Sequence, residues 1–290
     1  MLKISKRISI IVFIVLVFII IASNAYNFIQ EALQFKEANE NKARENLSAL
    51  IKWSKNEGKE ELKYAKNLSK ENYNQEKVTQ MIIKNLKMIQ ASIEDIRTLT
   101  IYSFLDEDEE LSRKASRIVL RINMDIILYL LDNEKTFIGH KTYFLFDKER
   151  FKIFEDFLFF LNTRLEEDFL QKDIHKFDSF DVVRIGMYIN DLIGYNCAFT
   201  DMYLSEFSQD YICDLNTPKT MTILNGMSQI NTTTDKVLLF LNKELKIHTD
   251  SHLKMQLEKA IYIFKKFKLN QKQINKLKSI QSKLKECTNE

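Results

Sequence analysis

Residues 218–247 read PKTMTILNGMSQINTTTDKVLLFLNKELKI, and the periodicity of this stretch decides the fold class. Leu224, Met227, Asn231, Thr234, Leu238, Leu241 and Leu245 follow one another at steps of three and four, and Ile223, Ile230 and Val237 widen the seam on one side. Taken alone, Asn231-Thr232-Thr233-Thr234 has the composition of a loop. A loop has no reason to keep register, yet the apolar phase is the same on both sides of it. The spacing therefore predicts one helix from Pro218 to about Ile247, with a polar layer at mid-height of the kind that sets register or pairing. Thr217 is placed to cap this helix, and Pro218 to fill its first position, where the missing N–H costs nothing.

The same period extends in both directions. Upstream it appears in Phe28, Ala32 and Phe35, in Leu47 and Leu50, and in Leu62, Ala65 and Leu68, with Gly58 in a polar patch that breaks or bends this first long helix. After Asn72 to Asn74, an apolar stripe runs from Val78 through Ile82, Leu86, Ile89 and Ile93 to Ile96. The acidic run Asp106 to Glu110 suits a helix N-terminus, where negative charge meets the dipole. Leu111, Ala115, Ile118 and Ile122 continue the pattern into Ile126 to Leu131. The stretch 132–147 reads as the least helical part. Phe151, Phe154, Leu158, Leu161, Leu165 and Phe169 resume the stripe, and Val182 to Phe207, apolar on more than one face, reads as the most buried helix. Leu253, Leu257, Ala260, Phe264 and Phe267, then Ile274, Leu277 and Leu284, complete an amphipathic, lysine-rich C-terminus. With five glycines and one proline in 290 residues, the chain lacks the turn chemistry of β-sandwiches and loop-rich α/β enzymes. The expected fold is an all-α helical bundle over residues 26–290, with possible subdivision near 132–147 and 208–217.

The N-terminus carries an address. Residues 1–7 include Lys3, Lys6 and Arg7, and residues 8–25 are apolar through Ile8, Ile10, Phe13, Leu16, Phe18 and Ile21. A run of this length suits a membrane-spanning signal-anchor, which needs about 20 residues. The competing reading is a cleavable signal peptide, with Ser23 and Ala25 at the small positions and a cut before Tyr26. Both readings keep the basic end cytoplasmic and put the bulk of the chain outside the cytoplasm. The expectation is a single-pass cell-membrane protein with a C-terminal extracytoplasmic bundle, or a secreted or periplasmic one.

Composition narrows the chemistry. The 43 basic and 40 acidic side chains leave a net charge of +3, too balanced for a nucleic-acid partner. No P-loop, G-x-G-x-x-G, G-x-S-x-G, paired C-x-x-C or H-E-x-x-H motif occurs, and the histidines number four. No catalytic residue, cofactor or metal is therefore expected, and the protein reads as a non-enzyme. His248 and His252 are four apart, the spacing of metal ligands on one helix face. Thr249, Asp250 and Ser251 are good caps, and a cap there leaves His248 outside the following helix. The adjacent carboxylates Glu166, Glu167 and Asp168 point in different directions on a helix and read as a polar face. Asn46, Asn67 and Asn231 fit the glycosylation pattern, but they fall in expected helices and carry little weight.

Two groups could bind a small ligand. Arg113, Arg117 and Arg121 form a basic ridge suited to an anionic molecule or a lipid headgroup, unless Glu109 and Glu110 simply pair with Arg113 and Lys114. Asn231 and Thr234, with Asn190, Asp191 and Asn196 if buried, are the alternative recognition groups. Among Cys197, Cys213 and Cys287, one internal bridge is possible. Cys197 and Cys213 would lie about 24 Å apart on a continuous helix, so they pair only if the chain reverses between them, and otherwise the cysteines read as buried free thiols. The functional expectation is a membrane-tethered, extracytoplasmic interaction or scaffold protein of the envelope, with protein partners and a possible homo-oligomer. The rivals are a ligand-binding bundle of sensory type and, after cleavage, an exported soluble effector.

Overall fold

A computed structural model describes residues 30–103, 105–139, 148–170, 179–207, 212–215 and 217–287. The apolar N-terminal run, including Ile8, Ile10, Phe13, Leu16, Phe18 and Ile21, lies outside these residues, as do 140–147. Helices account for nearly all of the described chain, and no strand occurs among these residues. They are α1 (30–55), α2 (Glu57–Lys66), α3 (Gln75–Arg97), α4 (Asp106–Ala115), α5 (Arg121–Ile138), α6 (Lys148–Leu165), α7 (Ser179–Ser205), α8 (Pro218–Ile247), α9 (Ser251–Phe264) and α10 (Gln271–Cys287). Among the described residues, no helix is long and apolar enough to cross a membrane.

The packing order is set by which helices carry wide apolar faces. In the first half, α5 packs on α2 and α3. In the second, α6 lies on α7 and α8, and α9 folds back on α8 and against α7. The two halves share one contiguous hydrophobic core from Ala43 in α1 to Leu284 in α10. α7 is buried over a broad face: Leu192, Phe199 and Tyr203 are inside, and so are Ile193, Asn196 and Leu204, while Asn190, Gly194, Cys197 and Asp201 lie on its outer, partly exposed side. α1 is different at its start. Residues 31–39 are all exposed, with Leu33 at 53% and Phe35 at 71%, and the helix joins the core only at Ala43.

The chain keeps register through Asn231–Thr234, and α8 is one helix of 30 residues. The Thr217 hydroxyl accepts a hydrogen bond from the Thr220 N–H at 3.1 Å, and Pro218 occupies the first turn. The break between α1 and α2 falls at Asn56, with φ −115° and ψ −92°, rather than at Gly58. Gly58 instead allows close approach: a Cβ there would stand 3.1 Å from the Trp53 ring and 3.3 Å from Ile122.

Several expectations change. The segment after Asp132 is not loop at its start, because α5 continues to Ile138 and ends at Gly139, whose φ of +77° supplies the left-handed cap. Ile118 and Ile122 are only half-buried, while Val119, Leu120 and Asn123 face the core. The cause is a π-helical turn, Ser116–Leu120, inserted between α4 and α5, which re-phases the buried stripe. Similar turns follow α3 at Thr98–Tyr102 and α6 at Glu166–Leu170. The third of these turns Asp168 inward, so the three adjacent carboxylates do not form a uniform polar face. Asp168 is buried and takes two bonds from the Arg97 guanidinium, at 2.7 and 2.8 Å, and one from the Tyr188 hydroxyl at 2.9 Å.

The cysteine expectation is also corrected. Cys213, on a short 3₁₀ turn (Ile212–Leu215), is bridged to Cys287 at the end of α10, with 5.5 Å between their Cα atoms. Cys197 is the free thiol. Cys213 is thus committed to α10 rather than to Cys197. Closing a 74-residue separation stabilises the fold by about 4 kcal/mol in chain-entropy terms.

Candidate functional site

The polar layer of α8 shapes a wall some distance from itself. Asn231 donates from Nδ2 to the Leu269 carbonyl at 3.0 Å and accepts at Oδ1 from the Leu269 N–H at 2.7 Å. The Thr234 hydroxyl donates to the Phe267 carbonyl at 3.1 Å. These two side chains, expected as ligand groups or pairing devices, thus bind the backbone of the α9–α10 connection. That connection presents Phe267 to α7, where a Cβ on Gly194 would stand 3.1 Å from the phenyl ring.

Phe267 borders an open groove of about 780 Å³ between the Ser116–Leu120 turn, the start of α5 and the middle of α7. Ser116, Arg117, Arg121 and Asp125 line one side, and Asn190, Asp191, Tyr195 and Cys197 the other. The π turn aims Ser116 at α7, and its hydroxyl donates to Asp191 Oδ2 at 2.7 Å. Burial pushes the Asp191 carboxyl up to about 7, only partly offset by that hydrogen bond. Burial, and then the negative charges of Asp191 and Asp125, hold Tyr195 well above its usual value, so it stays a neutral phenol. Burial likewise raises the Cys197 thiol to about 12, which leaves it a poor nucleophile.

Two features leave this groove open to a ligand. Asn190 Oδ1 is buried and accepts no hydrogen bond, a condition that costs about 1–3 kcal/mol. Arg117 and Arg121 are exposed at the rim, and neither forms an ion pair with a described residue. The expected pairs of Glu109 and Glu110 with Arg113 and Lys114 are also not formed among the described residues. Arg113 is half-buried one turn earlier and does not line the groove.

The other candidates are placed elsewhere. Asn196 is buried away from the groove, where its Oδ1 accepts from Asn162 at 2.9 Å. Asp250 caps α9 through the Leu253 N–H at 2.7 Å, so His248 lies between helices, 3.2 Å from Glu244, and His252 contacts Gln256 at 2.8 Å. No group of three His, Cys, Asp or Glu side chains that could hold a metal occurs among the described residues. Asn67 stands at the C-terminal cap of α2, while Asn46 and Asn231 are within helices.

Sequence reasoning separates Arg117 and Arg121 from Asn190 and Asp191, and the fold brings them to one groove. Ser116, Asp125, Tyr195 and Phe267 have no signal of their own. The one available hint is the Asn190-Asp191 pair between the apolar residues Ile189 and Leu192. No family model, curated protein or solved structure matches this chain.

Proposed function

We propose that the chain is a membrane-tethered, extracytoplasmic helical interaction protein of the cell envelope, without enzymatic activity of its own. The observation that carries this reading is the Cys213–Cys287 disulfide, a bond that belongs to oxidising compartments. It accompanies a basic, then apolar, N-terminal run suited to a signal-anchor. The exposed turns of α1 fit a tether: residues 31–39 are solvent-exposed and span about 13 Å between an anchoring surface and the core. Exposed Leu33 and Phe35 on the same turns offer apolar surface to a partner helix or a second copy. The Arg117–Asp191 groove favours a second reading, a bundle that senses a small molecule.

The test is the intact mass of the native protein after cell fractionation, with and without thiol alkylation. A full-length chain in the membrane fraction, alkylated at one cysteine, supports the proposal. A product beginning at Tyr26 in the soluble exported fraction overturns the tether and makes a free effector the better reading. Three alkylated cysteines overturn the extracytoplasmic assignment.

A further inference from the structure

We propose that the groove between the Ser116–Leu120 turn and α7 is a binding site for a free α-amino acid with an apolar side chain. Its carboxylate would be held by Arg117 and Arg121, and its ammonium by Asp191 and Asn190 Oδ1.

Arg117 and Arg121 are one helical turn apart on one face, roughly 6 Å between Cβ atoms, close enough to share one carboxylate. Ser116 is bonded to Asp191 at 2.7 Å, and Arg117, Arg121 and Asp191 line the same groove, so groups of both charge types face one space. Asp191 follows Asn190 on α7, and the orphaned Asn190 oxygen requires a donor. An anion alone would leave Asp191, Asp125 and Asn190 Oδ1 unmatched. A cation alone would leave both guanidiniums unmatched. A zwitterion, with its two charged groups bonded to one carbon, matches both sets, and a ligand without a donor leaves the buried Asn190 Oδ1 unpaired. Met124, Tyr195 and Phe267 supply apolar surface for a side chain. The site is independent of the tether, so failure of one reading does not touch the other.

The pH dependence has a definite sign. The groups facing Asp191 are Arg117, Arg121 and Asp125 from the turn and α5, and Tyr195 and Cys197 from α7. Lys265, Lys266 and Lys268 flank Phe267 on the exposed connection. Burial raises the Asp191 carboxyl to about 7, so it changes charge near neutrality. An ammonium ligand prefers it ionised, so amino-acid binding strengthens as the pH rises through that value. A simple anion prefers it neutral and would show the opposite slope.

The experiment is calorimetric titration of the full chain in mild detergent with each standard amino acid in turn, at millimolar concentration. An apolar amino acid, with L-leucine as reference probe, is expected to bind. Arg117→Ala/Arg121→Ala and Asp191→Asn should each weaken it by about tenfold or more, equivalent to about 1.4 kcal/mol. The melting temperature of each variant reports whether the fold persists, and the two arginines are exposed. 4-Methylpentanoate, which lacks the ammonium, and 3-methylbutylamine, which lacks the carboxylate, should each bind at least about tenfold more weakly than leucine. The proposal is overturned if no amino acid gives heat, if 4-methylpentanoate binds as well as leucine, or if folded Asp191→Asn retains full affinity.

Discussion

Helix α5 takes part in two charge clusters of opposite character. Near its end, Glu134 meets Arg150 with both side chains wholly enclosed, at 1% and 0% exposure. Arg150 donates to Glu134 at 2.6 Å, to the Thr79 hydroxyl at 2.6 Å and to the Gln75 carbonyl at 3.1 Å, while Tyr73 donates to the other Glu134 oxygen. Burial, and then the bond to Glu134, raise the Tyr73 phenol to about 12 and keep it a donor. About 14–20 Å away along the helix, Asp125 and Arg121 line the groove, where Arg117 and Asn190 Oδ1 have no partner among the described residues. In the closed cluster the charges face each other, sealed from solvent and from any ligand. The open one has kept bonding capacity, at a cost in stability. The difference separates structural charge from binding charge where no motif can.

The sharpest way to break this comparison is to truncate one arginine from each cluster. Arg150→Ala leaves a buried carboxylate without its partner and should lower unfolding free energy by about 3–5 kcal/mol. Arg117→Ala, at an exposed rim, should change it by less than about 0.5 kcal/mol. Urea denaturation of both variants checks this, and equal losses would erase the distinction.

Glycines sharpen the comparison at a smaller scale. A Cβ on Gly226, in the middle of α8, would stand 2.0 Å from Asn162 Oδ1, beside the buried Asn162–Asn196 hydrogen bond. Gly226→Ala should therefore destabilise by about 1–3 kcal/mol, although alanine favours a helix by about 1 kcal/mol. At Gly194, on the groove, the obstruction is the Phe267 ring at 3.1 Å, which has open space beside it. Gly194→Ala should cost less than Gly226→Ala in the same thermal melts, and a reversed order would refute the packing argument.

The pH axis supplies the last test, through the acid-base behaviour of Asp191. An unfolded aspartate loses its proton near about pH 3.9, whereas native Asp191 keeps it to about 7. Between those values the native state holds more protons, so this residue's contribution to stability falls as pH rises and levels off above about 7. Asp191→Asn should flatten that descent in a pH series of denaturation midpoints. A variant curve parallel to the parent's would mean that Asp191 is ionised in the empty groove.

What could be read in the chain depended on sequence distance. α8, its Thr217 cap and the Asp250 junction are local features, and spacing alone specifies them. The groove unites Ser116 with Asp191 across 75 positions, and the disulfide joins residues 74 apart, so neither leaves a periodic trace. The inward turn of Asp168 was hidden for another reason. A π-helical insertion changes the phase of a face without changing its composition, so neighbouring carboxylates look alike until the backbone is known. The Asn190-Asp191 pair was visible as polarity in an apolar helix, but its counterpart Arg117–Arg121 could be matched to it only through the fold.

The Cys213–Cys287 bond also governs how the molecule responds to cutting. The connections at 248–250 and 265–270, exposed over most of their length, both lie inside the loop it closes. A single proteolytic nick at either place would leave two peptides in one covalent molecule. On a gel run without reductant the nicked protein should migrate as one full-mass species, and with reductant it should separate into two. A cut in the exposed turns of α1 falls outside the loop and would release the bundle under either condition.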